Sequence, residues 1–265
     1  MLNMSKKSVV SEYLNLAGNT VFVIGGSSGI GRGVADALAQ ANARVVVLSR
    51  TPTDIESNSS LLWRQIDLSK PKQSRRQLTK VLAEFGEQLN AVFYSAIYYG
   101  SKRTNFLEVS EVEWKQQINV NLHGLWLSLS LTMPYLQRRL SGLFVHFSSE
   151  VVYNAGPERS GYAATKAAAF NLIRSLAQED PSGRVRLVQL LPTNMVDTAG
   201  IRQRRPSDFD YSNYMTPQHF AKAALHLVQT MGQGMHGESL VVDNDGSFQT
   251  ISESPPMSQS NRGKL

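Results

Sequence analysis

Short apolar runs alternate with longer segments of helical periodicity along the chain between residues 19 and 243. Several of these runs are rich in β-branched residues and apolar almost throughout, as strands are when helices cover both faces of a sheet. The predicted strands are at 20–25, 44–49, 61–67, 91–96, 142–149, 184–191 and 239–243. Helical patterns separate them, at 29–41, 69–85, 111–139 (in two pieces), 160–179 and 216–231. This alternation predicts an α/β fold in which a doubly wound parallel sheet lies between two layers of helices.

The 265 residues are enough for one large domain, and no internal repeat or second domain is visible. We expect the domain to span residues 17–249, after an N-terminal extension at 1–16. The tail at 250–265 is rich in Pro and Ser, lacks periodicity and is predicted to be disordered. No apolar run approaches the roughly 18 residues of a membrane span, and the basic N-terminus lacks the apolar region of a secretory signal. We therefore expect a cytoplasmic protein with no membrane partner.

Composition excludes several kinds of chemistry. Without cysteine, the chain cannot form a disulfide, a thiolate nucleophile or a thiolate metal site. The five histidines show no ligand spacing with a carboxylate, so no metal site is expected. The net charge is +6, but the basic residues are spread out and form no long run interleaved with aromatic residues. We therefore expect no nucleic-acid partner, and we interpret the charge as a positive surface or an attraction to a phosphorylated small molecule.

The stretch GGSSGIGRG, residues 25–33, follows the first predicted strand and opens the first predicted helix. Glycines in this context allow a tight turn and let a pyrophosphate approach the positive end of the helix. Gly25, Gly29 and Gly31 are spaced Gly-x-x-x-Gly-x-Gly, which differs from the general Gly-x-Gly-x-x-Gly pattern of dinucleotide sites. The stretch predicts a dinucleotide site with a longer turn, the alternative being a glycine-rich turn that binds nothing.

The second predicted strand ends in Ser49 and Arg50, where the adenine ribose of a dinucleotide would be recognised. A carboxylate there would favour NAD, whereas an arginine can pair with the 2′-phosphate of NADP. We therefore expect NADP(H), unless Arg50 is only a solvated residue at a strand end. After the third predicted strand, Asp67 and Leu68 are placed to meet the adenine, although Asp67 is equally suited to cap the helix that begins near Ser69.

Tyr162 and Lys166 are four positions apart on the helix predicted at 160–179, so their side chains share a face. The ammonium is expected to lower the pKa of the tyrosine toward that of a working acid or base. Ser149, thirteen residues earlier, ends a predicted central strand and can hold a substrate oxygen beside the tyrosine.

A second Tyr-x-x-x-Lys pattern is formed by Tyr98 and Lys102. This pair straddles Gly100 in a predicted loop, and the residue thirteen positions before the tyrosine is Phe85. We therefore favour Tyr162 and Lys166 as the acid–base pair.

Seven motifs occur together along the chain: GGSSGIG (25–31), DL (67–68), NVNLHG (119–124), FSS (147–149), YAATK (162–166), LPTNMVDT (191–198) and VDNDG (242–246). In these motifs and their order, the chain resembles the short-chain dehydrogenase/reductase family over about residues 17–247. The resemblance implies a single Rossmann-type domain with a seven-stranded parallel sheet. It also implies hydride transfer between a nicotinamide and a carbonyl or alcohol carbon.

The resemblance also assigns roles to residues. Tyr162 is implied to be the general acid or base, Lys166 to bind the ribose and modulate the tyrosine pKa, and Ser149 to orient the substrate oxygen. Asn121 is implied to hold a water that relays protons to Lys166. The implied cofactor contacts are Gly25, Ser27, Ser28, Gly29, Ile30, Gly31, Arg50, Asp67, Leu68, Ser95, Ala96, Tyr162, Lys166, Pro192, Val196 and Thr198. A homodimer or homotetramer is implied through the helices that hold residues 122–139 and 160–179.

Three positions depart from the family pattern. Ile24 replaces the usual threonine before the first glycine, and YSAI at 94–97 replaces Asn-Asn-Ala-Gly. Together these changes predict that a polar network has been replaced as a unit by aromatic and aliphatic packing. Ile97 adds a side chain where glycine lets the cofactor approach, which is expected to weaken cofactor binding. Pro192-Thr193 stands where Pro-Gly is usual, which changes the expected nicotinamide contacts of this loop.

The residues from Glu150 to Tyr153 are expected to line the substrate pocket, and the family places a mobile lid at 199–215. The three arginines of that segment would suit a phosphate or carboxylate on a carrier-bound substrate, although a solvated loop is the simpler interpretation. The main hypothesis is an NADP(H)-dependent reductase of a small or carrier-linked 3-oxo substrate. The alternatives are a cofactor-sensing or scaffold protein without turnover, and an NAD-linked alcohol dehydrogenase.

Overall fold

The structure is a computed structural model that describes residues 14–52 and 60–251. Its strands are β1 (Thr20–Ile24), β2 (Arg44–Ser49), β3 (Leu61–Gln65), β4 (Leu89–Tyr94), β5 (Gly142–Phe147), β6 (Val185–Pro192), β7 (Ser239–Val242) and β8 (Phe248–Thr250). Its α-helices are α1 (Gly29–Gln40), α2 (Pro71–Phe85), α3 (Glu111–Gln117), α4 (Gly124–Leu136), α5 (Val151–Asn154), α6 (Ser160–Glu179), α7 (Ala199–Arg202) and α8 (Ala221–Thr230). A π-helical segment, Ile118–His123, joins α3 to α4.

Within the described residues the strands form one sheet in the order β3-β2-β1-β4-β5-β6-β7-β8. The first seven strands pair in parallel, as predicted, and the strand order reverses between β1 and β4. The expected count of seven strands is wrong by one, because β8 adds an antiparallel edge to β7. The N–H of Asp243 donates to the carbonyl of Ser247 at 2.8 Å, and a turn this short can only return the chain antiparallel.

The central strand β1 contributes alternate side chains to the two faces of the sheet. Val21 and Val23 pack in a hydrophobic cluster with residues of α1 and α8. Phe22 and Ile24 pack in a second cluster with residues of α2, α4 and α6. All four side chains are fully buried, so the sheet is covered on both faces and the predicted three-layer architecture is confirmed.

Several element boundaries differ from the prediction. α2 begins at Pro71, two residues later than expected, because the preceding residues form a turn. In that turn the Asp67 carboxylate accepts from the N–H and the hydroxyl of Ser69, at 3.1 and 2.6 Å. The predicted helix at 216–231 begins as a 3-10 turn, Pro217–Phe220, before it becomes α8.

Two short helices were not predicted, α5 directly after β5 and α7 inside the segment predicted as a lid loop. α7 begins where the Thr198 hydroxyl accepts from the N–H of Ile201 at 3.3 Å. Residues 1–13 and 252–265, which hold most of the predicted extension and tail, lie outside the described residues. Across 14–52 and 60–251, no helix has the length and apolar character needed to cross a membrane.

Candidate active site

A cleft of about 530 Å³ opens at the carboxyl ends of the central parallel strands, where ligands bind in sheets of this kind. Most of the predicted site residues line it: Gly25, Ser27, Ser28, Gly29, Ile30, Arg50, Leu68, Ser95, Ala96, Ser149, Tyr162, Lys166, Pro192, Val196 and Thr198. Gly31, Asp67 and Asn121 do not line the cleft. The sheet therefore brings together residues that lie far apart in the chain, and three of the expected contacts have other tasks.

The glycine loop leaves no room for side chains. Gly25 has a φ of +85°, and a Cβ there would lie 2.4 Å from the backbone nitrogen of Ala96. A Cβ on Gly31 would lie 2.5 Å from the Gly25 carbonyl oxygen, which explains why this glycine packs behind the loop and does not reach the cleft. Both glycines are therefore required by the close approach of backbone to backbone.

The start of α1 is open toward the cleft. Ser28 precedes the helix without a side-chain hydrogen bond to it, and no acidic residue occupies the first turn. The first amide groups of a helix need acceptors, and they form a natural site for a phosphate. The loop and the helix start therefore fit the pyrophosphate of a nicotinamide dinucleotide.

Arg50 lies exposed at the end of β2 and lines the cleft. Burial raises the pKa of Tyr98, and the positive charge of Arg50 acts against that rise, so the guanidinium lies near the phenol inside the cleft. The hydroxyl of Ser49 donates to the carbonyl of Thr51 at 2.7 Å and accepts from the indole of Trp63 at 2.9 Å. The strand therefore offers a cation, and no carboxylate, where a ribose would be recognised.

Asp67 is occupied by the turn that precedes α2. Besides the two bonds from Ser69, its carboxylate lies 3.5 Å from the ammonium of Lys70. Of the two roles considered for this residue, the turn shows the local cap, and the cofactor contact stays a prediction.

Ser149, Tyr162 and Lys166 converge at the centre of the cleft. Ser149 follows β5, while the other two lie one turn apart on the same face of α6. All three are buried, with 5 to 8% of their surface exposed. The ammonium of Lys166 donates to the carbonyl of Phe147 at 2.5 Å, which ties α6 to the end of β5. The predicted spatial grouping of these three residues is therefore present in the fold.

The expected effect of Lys166 on Tyr162 is wrong in this structure. Burial raises the pKa of Tyr162 well above its usual value, and Tyr99, whose ring centroid lies 5.0 Å from that of Tyr162, raises it further. Burial also lowers the pKa of Lys166 to about 7, against an opposing effect of the Glu150 carboxylate. Desolvation is the largest cause of both shifts because both groups are buried.

Asn121 joins three parts of the site from behind. Its side-chain oxygen accepts the N–H of Tyr98 at 2.8 Å, and its amide nitrogen donates to the Tyr98 carbonyl and to the Thr165 hydroxyl, both at 3.0 Å. The side chain is therefore committed to holding the loop after β4 against α6. It lies in the π-helical segment, where the wider turn belongs to the motif NVNLHG.

The departure at 94–97 has a structural explanation. Ile24 is fully buried among apolar side chains, as predicted. Tyr94 is also buried in the same cluster, in line with the predicted aromatic packing, and its hydroxyl donates to the carbonyl of Val120 in the π-helical segment. Ile97 lines the cleft and packs against Val151 and Tyr162. The tyrosine hydroxyl therefore supplies a polar link between β4 and the π-helical segment.

The arginines of the segment 199–215 already have partners. Arg202 forms two bonds of 2.6 Å to the Asp197 carboxylate. Arg204 donates to the carbonyls of Gly100 and Gly200 and lies 4.9 Å above the ring of Tyr99. Arg204 thus attaches the segment to the loop after β4, and Arg202 binds a neighbouring carboxylate, which weakens the interpretation that these arginines recognise an anionic substrate.

Tyr99 and Arg159 are among the cleft residues that the sequence interpretation missed. The guanidinium of Arg159 lies 3.2 Å from the Glu150 carboxylate. The sequence signals for Arg159 were its position three residues before Tyr162 and the nearby Gly156. In the structure this glycine has a φ of +78°. A separate question is whether the fold brings metal ligands together. Among residues 14–52 and 60–251, no group of three or more His, Asp or Glu side chains is arranged to hold a metal ion.

The family model of the short chain dehydrogenases matches residues 19–208. The chain belongs to the short-chain dehydrogenase/reductase family. Among its relatives, a 3-oxoacyl-(acyl-carrier-protein) reductase of Chlamydia muridarum is 28% identical over 245 residues, covering 86% of this chain and 97% of the relative. The family is one of oxidoreductases that act on CH–OH and C=O groups with a nicotinamide cofactor.

Solved structures agree in fold. A 3-oxoacyl (acyl-carrier-protein) reductase from Agrobacterium tumefaciens with NADP bound has a TM-score of 0.76 and 25% identity, and the match covers 89% of this chain and 96% of that one. A 3-ketoacyl-(acyl-carrier-protein) reductase from Brucella melitensis complexed with NADH has a TM-score of 0.75 and 23% identity, covering 88% and 100%. This second match shows the fold alone.

Proposed function

We propose that this oxidoreductase is an NADP(H)-dependent reductase that converts a ketone to an alcohol. The observation that carries the proposal is that Ser149, Tyr162 and Lys166 line the same cleft as the glycine loop and Arg50. A dinucleotide with its pyrophosphate on α1 and its ribose phosphate on Arg50 would bring its reactive end toward these three side chains. The interpretation as a scaffold without turnover is set aside, since the family is one of enzymes.

The cofactor, when bound, supplies the hydride that reduces the carbonyl carbon. Tyr162 is the residue proposed to give a proton to the carbonyl oxygen, and its raised pKa keeps the phenol protonated at neutral pH. Lys166, with a pKa of about 7, would exchange protons with its surroundings near neutrality, and in its charged form it would stabilise the negative charge left on the phenolate. Ser149 would orient the carbonyl oxygen. A proton relay through Asn121 stays a proposal, because its side chain already holds Tyr98 and Thr165.

The preference for NADP(H) is proposed from Arg50. A charge-assisted bond to a phosphate contributes about 1.5–3 kcal/mol, which corresponds to an affinity difference of about 10- to 150-fold. We expect Arg50→Asp to weaken NADPH binding by at least about tenfold and to leave NADH binding unchanged or improved. Titration of both cofactors by fluorescence measures this.

The matched control is Arg44→Asp. Arg44 begins the same strand at its other end, where its guanidinium donates to Gln88 at 2.7 Å. The substitution Arg44→Asp makes the same change in net charge far from the cleft, so the cofactor preference should stay as in wild type. An Arg50→Asp variant that still prefers NADPH would remove the reason for choosing NADP and would favour the NAD-linked alternative.

For the substrate, we propose a small or carrier-linked 3-oxo compound, with support from the similarity to the 3-oxoacyl-(acyl-carrier-protein) reductases. Comparison of a 3-oxo thioester with a simple ketone in an NADPH oxidation assay tests this.

A homodimer or homotetramer is also proposed. An apolar groove between the π-helical segment, α4 and α6, lined by Leu122, Trp126 and Leu172, supports it. Sedimentation of wild type and Trp126→Glu gives the oligomeric state, and two monomeric samples would contradict the proposal.

A further inference from the structure

The hydroxyl of Ser149 is already engaged in the structure. Its Oγ donates to Oε2 of Glu150 at 2.6 Å and accepts from the N–H of Val151 at 3.3 Å. A serine hydroxyl carries a single proton, so a proton given to the carboxylate is not available to a substrate oxygen. The residue proposed to orient the substrate therefore has a neighbour that competes for its proton.

The competing carboxylate is held in place by a built arrangement. Arg159 donates to Oε1 of Glu150 at 3.2 Å and to the side-chain oxygen of Asn154 at 2.9 Å. Gly156, which lies against the guanidinium, has a φ of +78°, a conformation that favours glycine. With one carboxylate oxygen bound by Arg159, the other is directed at Ser149.

The competition matters most for a plain ketone. A ketone oxygen only accepts hydrogen bonds, so Ser149 must leave Glu150 before it can orient such a substrate. An ionised acceptor forms the stronger bond, so this exchange is unfavourable.

We propose that Glu150 is a specificity-determining residue that favours ketones carrying a hydroxyl group next to the reacting carbonyl. That hydroxyl donates to Oε2 of Glu150 in place of Ser149, and the serine proton then turns to the carbonyl oxygen. The carboxylate keeps one hydrogen bond throughout, so the cost of freeing the serine is removed. This inference rests on the proposed roles of Ser149 and Tyr162.

The charge around Glu150 favours a neutral hydroxyl over an ammonium group. Arg159 already balances the carboxylate, and Lys102, Arg103 and Arg204 line the same cleft. A cationic substrate would meet net positive charge there, whereas a hydroxyl needs only the free acceptor. Glu150 is also 39% exposed through its side chain, so a substrate group can reach it.

The test compares two ketones of equal size, 1-hydroxybutan-2-one and pentan-3-one, by NADPH oxidation in wild type, Glu150→Gln and Glu150→Ala. We expect the kcat/KM ratio of the hydroxyketone to the plain ketone to fall about tenfold in both variants, chiefly because the plain ketone is turned over faster. Glu87→Gln is the control, since this glutamate pairs with Arg138 outside the cleft and should leave the ratio unchanged. An unchanged ratio in both Glu150 variants overturns the inference.

A second measurement does not need turnover. The unreactive amides glycolamide and propionamide differ by the same hydroxyl-for-methyl exchange, and their binding to the enzyme with NADP⁺ can be followed by NMR titration. We expect wild type to prefer glycolamide and Glu150→Gln to lose that preference. Equal binding of both amides by wild type overturns the inference. Full turnover by Tyr162→Phe would instead overturn the proposed function, so the two failures are distinguishable.

Discussion

Two Tyr-x-x-x-Lys pairs with identical spacing line one cleft, yet their surroundings differ. Tyr162 and Lys166 lie on α6, where both are buried and the ammonium reaches a backbone carbonyl at the end of β5. Tyr98 and Lys102 lie in the loop after β4, on either side of Gly100, whose φ is +103°. The first lysine is 7% exposed, whereas the second is open to solvent. Spacing places two side chains on one face only where the backbone is helical, and burial then decides their chemistry.

The loop pair serves the site through its backbone. The N–H and the carbonyl of Tyr98 are both bonded to the side chain of Asn121, which in turn holds Thr165 on α6. Helix α6 thus presents the side chains of Tyr162 and Lys166 to the cleft, and the loop after β4 is held in place through the backbone of Tyr98. This difference can be tested by matched substitutions in the two regions.

The largest difference is expected between the two tyrosines. Tyr162→Phe should lower kcat by about 10²- to 10⁴-fold because the proposed proton donor is lost, and Tyr98→Phe should stay within about twofold. Steady-state NADPH oxidation measures both, with cofactor titration to confirm that each variant still binds NADPH. Comparable losses in the two variants would mean that the loop tyrosine takes part in the chemistry.

The next effect concerns the residue that links the two regions. Asn121→Leu should lower the free energy of unfolding by about 2–4 kcal/mol, because it leaves the buried N–H and carbonyl of Tyr98 without a partner. Asn105→Leu is the control, since this asparagine is exposed and its side chain makes no capping bond to the turn that follows it. Urea unfolding compares the two, and equal losses would show that the link to Tyr98 adds nothing.

Lys166 and Lys102 should contribute differently to the pH dependence of the free energy of unfolding. Because burial lowers the pKa of Lys166 from 10.5 to about 7, the unfolded chain binds more protons than the folded one between these values. The free energy of unfolding should therefore rise with pH from about 7 to 9.5, by up to about 1.4 kcal/mol per pH unit. Above pH of about 9.5, the raised pKa of Tyr162 should make the free energy of unfolding fall as pH rises.

Removal of the lysine isolates this effect. Lys166→Met should flatten the rise in urea-unfolding free energy measured without added cofactor, and Lys102→Met should leave it in place. A slope that is the same in wild type and Lys166→Met would show that the lysine is charged inside the folded protein across this range.

The smallest effect is expected where β4 leads into the loop. Tyr94→Phe removes the hydroxyl that donates to the Val120 carbonyl and should cost about 1 kcal/mol of unfolding free energy. Tyr153→Phe is the control, because that side chain is 56% exposed. If both changes prove neutral in thermal or urea unfolding, the bond between β4 and the π-helical segment does not contribute to stability.

Much of the fold follows from local patterns. Helix α6 begins and ends where the periodicity predicts, and the seven parallel strands overlap the predicted runs, although β4 begins two residues early. β8 could not be predicted in the same way, because it is three residues long and exists only by pairing with β7. α7 has only four residues; it begins at the Thr198 cap, and Arg204, which follows it, contacts Gly100 in the loop after β4.

The sequence by itself determined the α/β alternation, the glycine loop and the order of Ser149, Tyr162 and Lys166, because these depend on local periodicity and on side-chain chemistry. Only the tertiary structure decided that the Asp67 carboxylate binds Ser69 in a turn, that burial raises the pKa of Tyr162, and that Glu150 binds the serine proton. Each of these depends on neighbours that the fold brings together and on the loss of water around them. The spacing of residues along a chain contains no information about desolvation. The sequence therefore predicts which tyrosine and lysine form the pair, but not how burial shifts the pKa values of Tyr162 and Lys166.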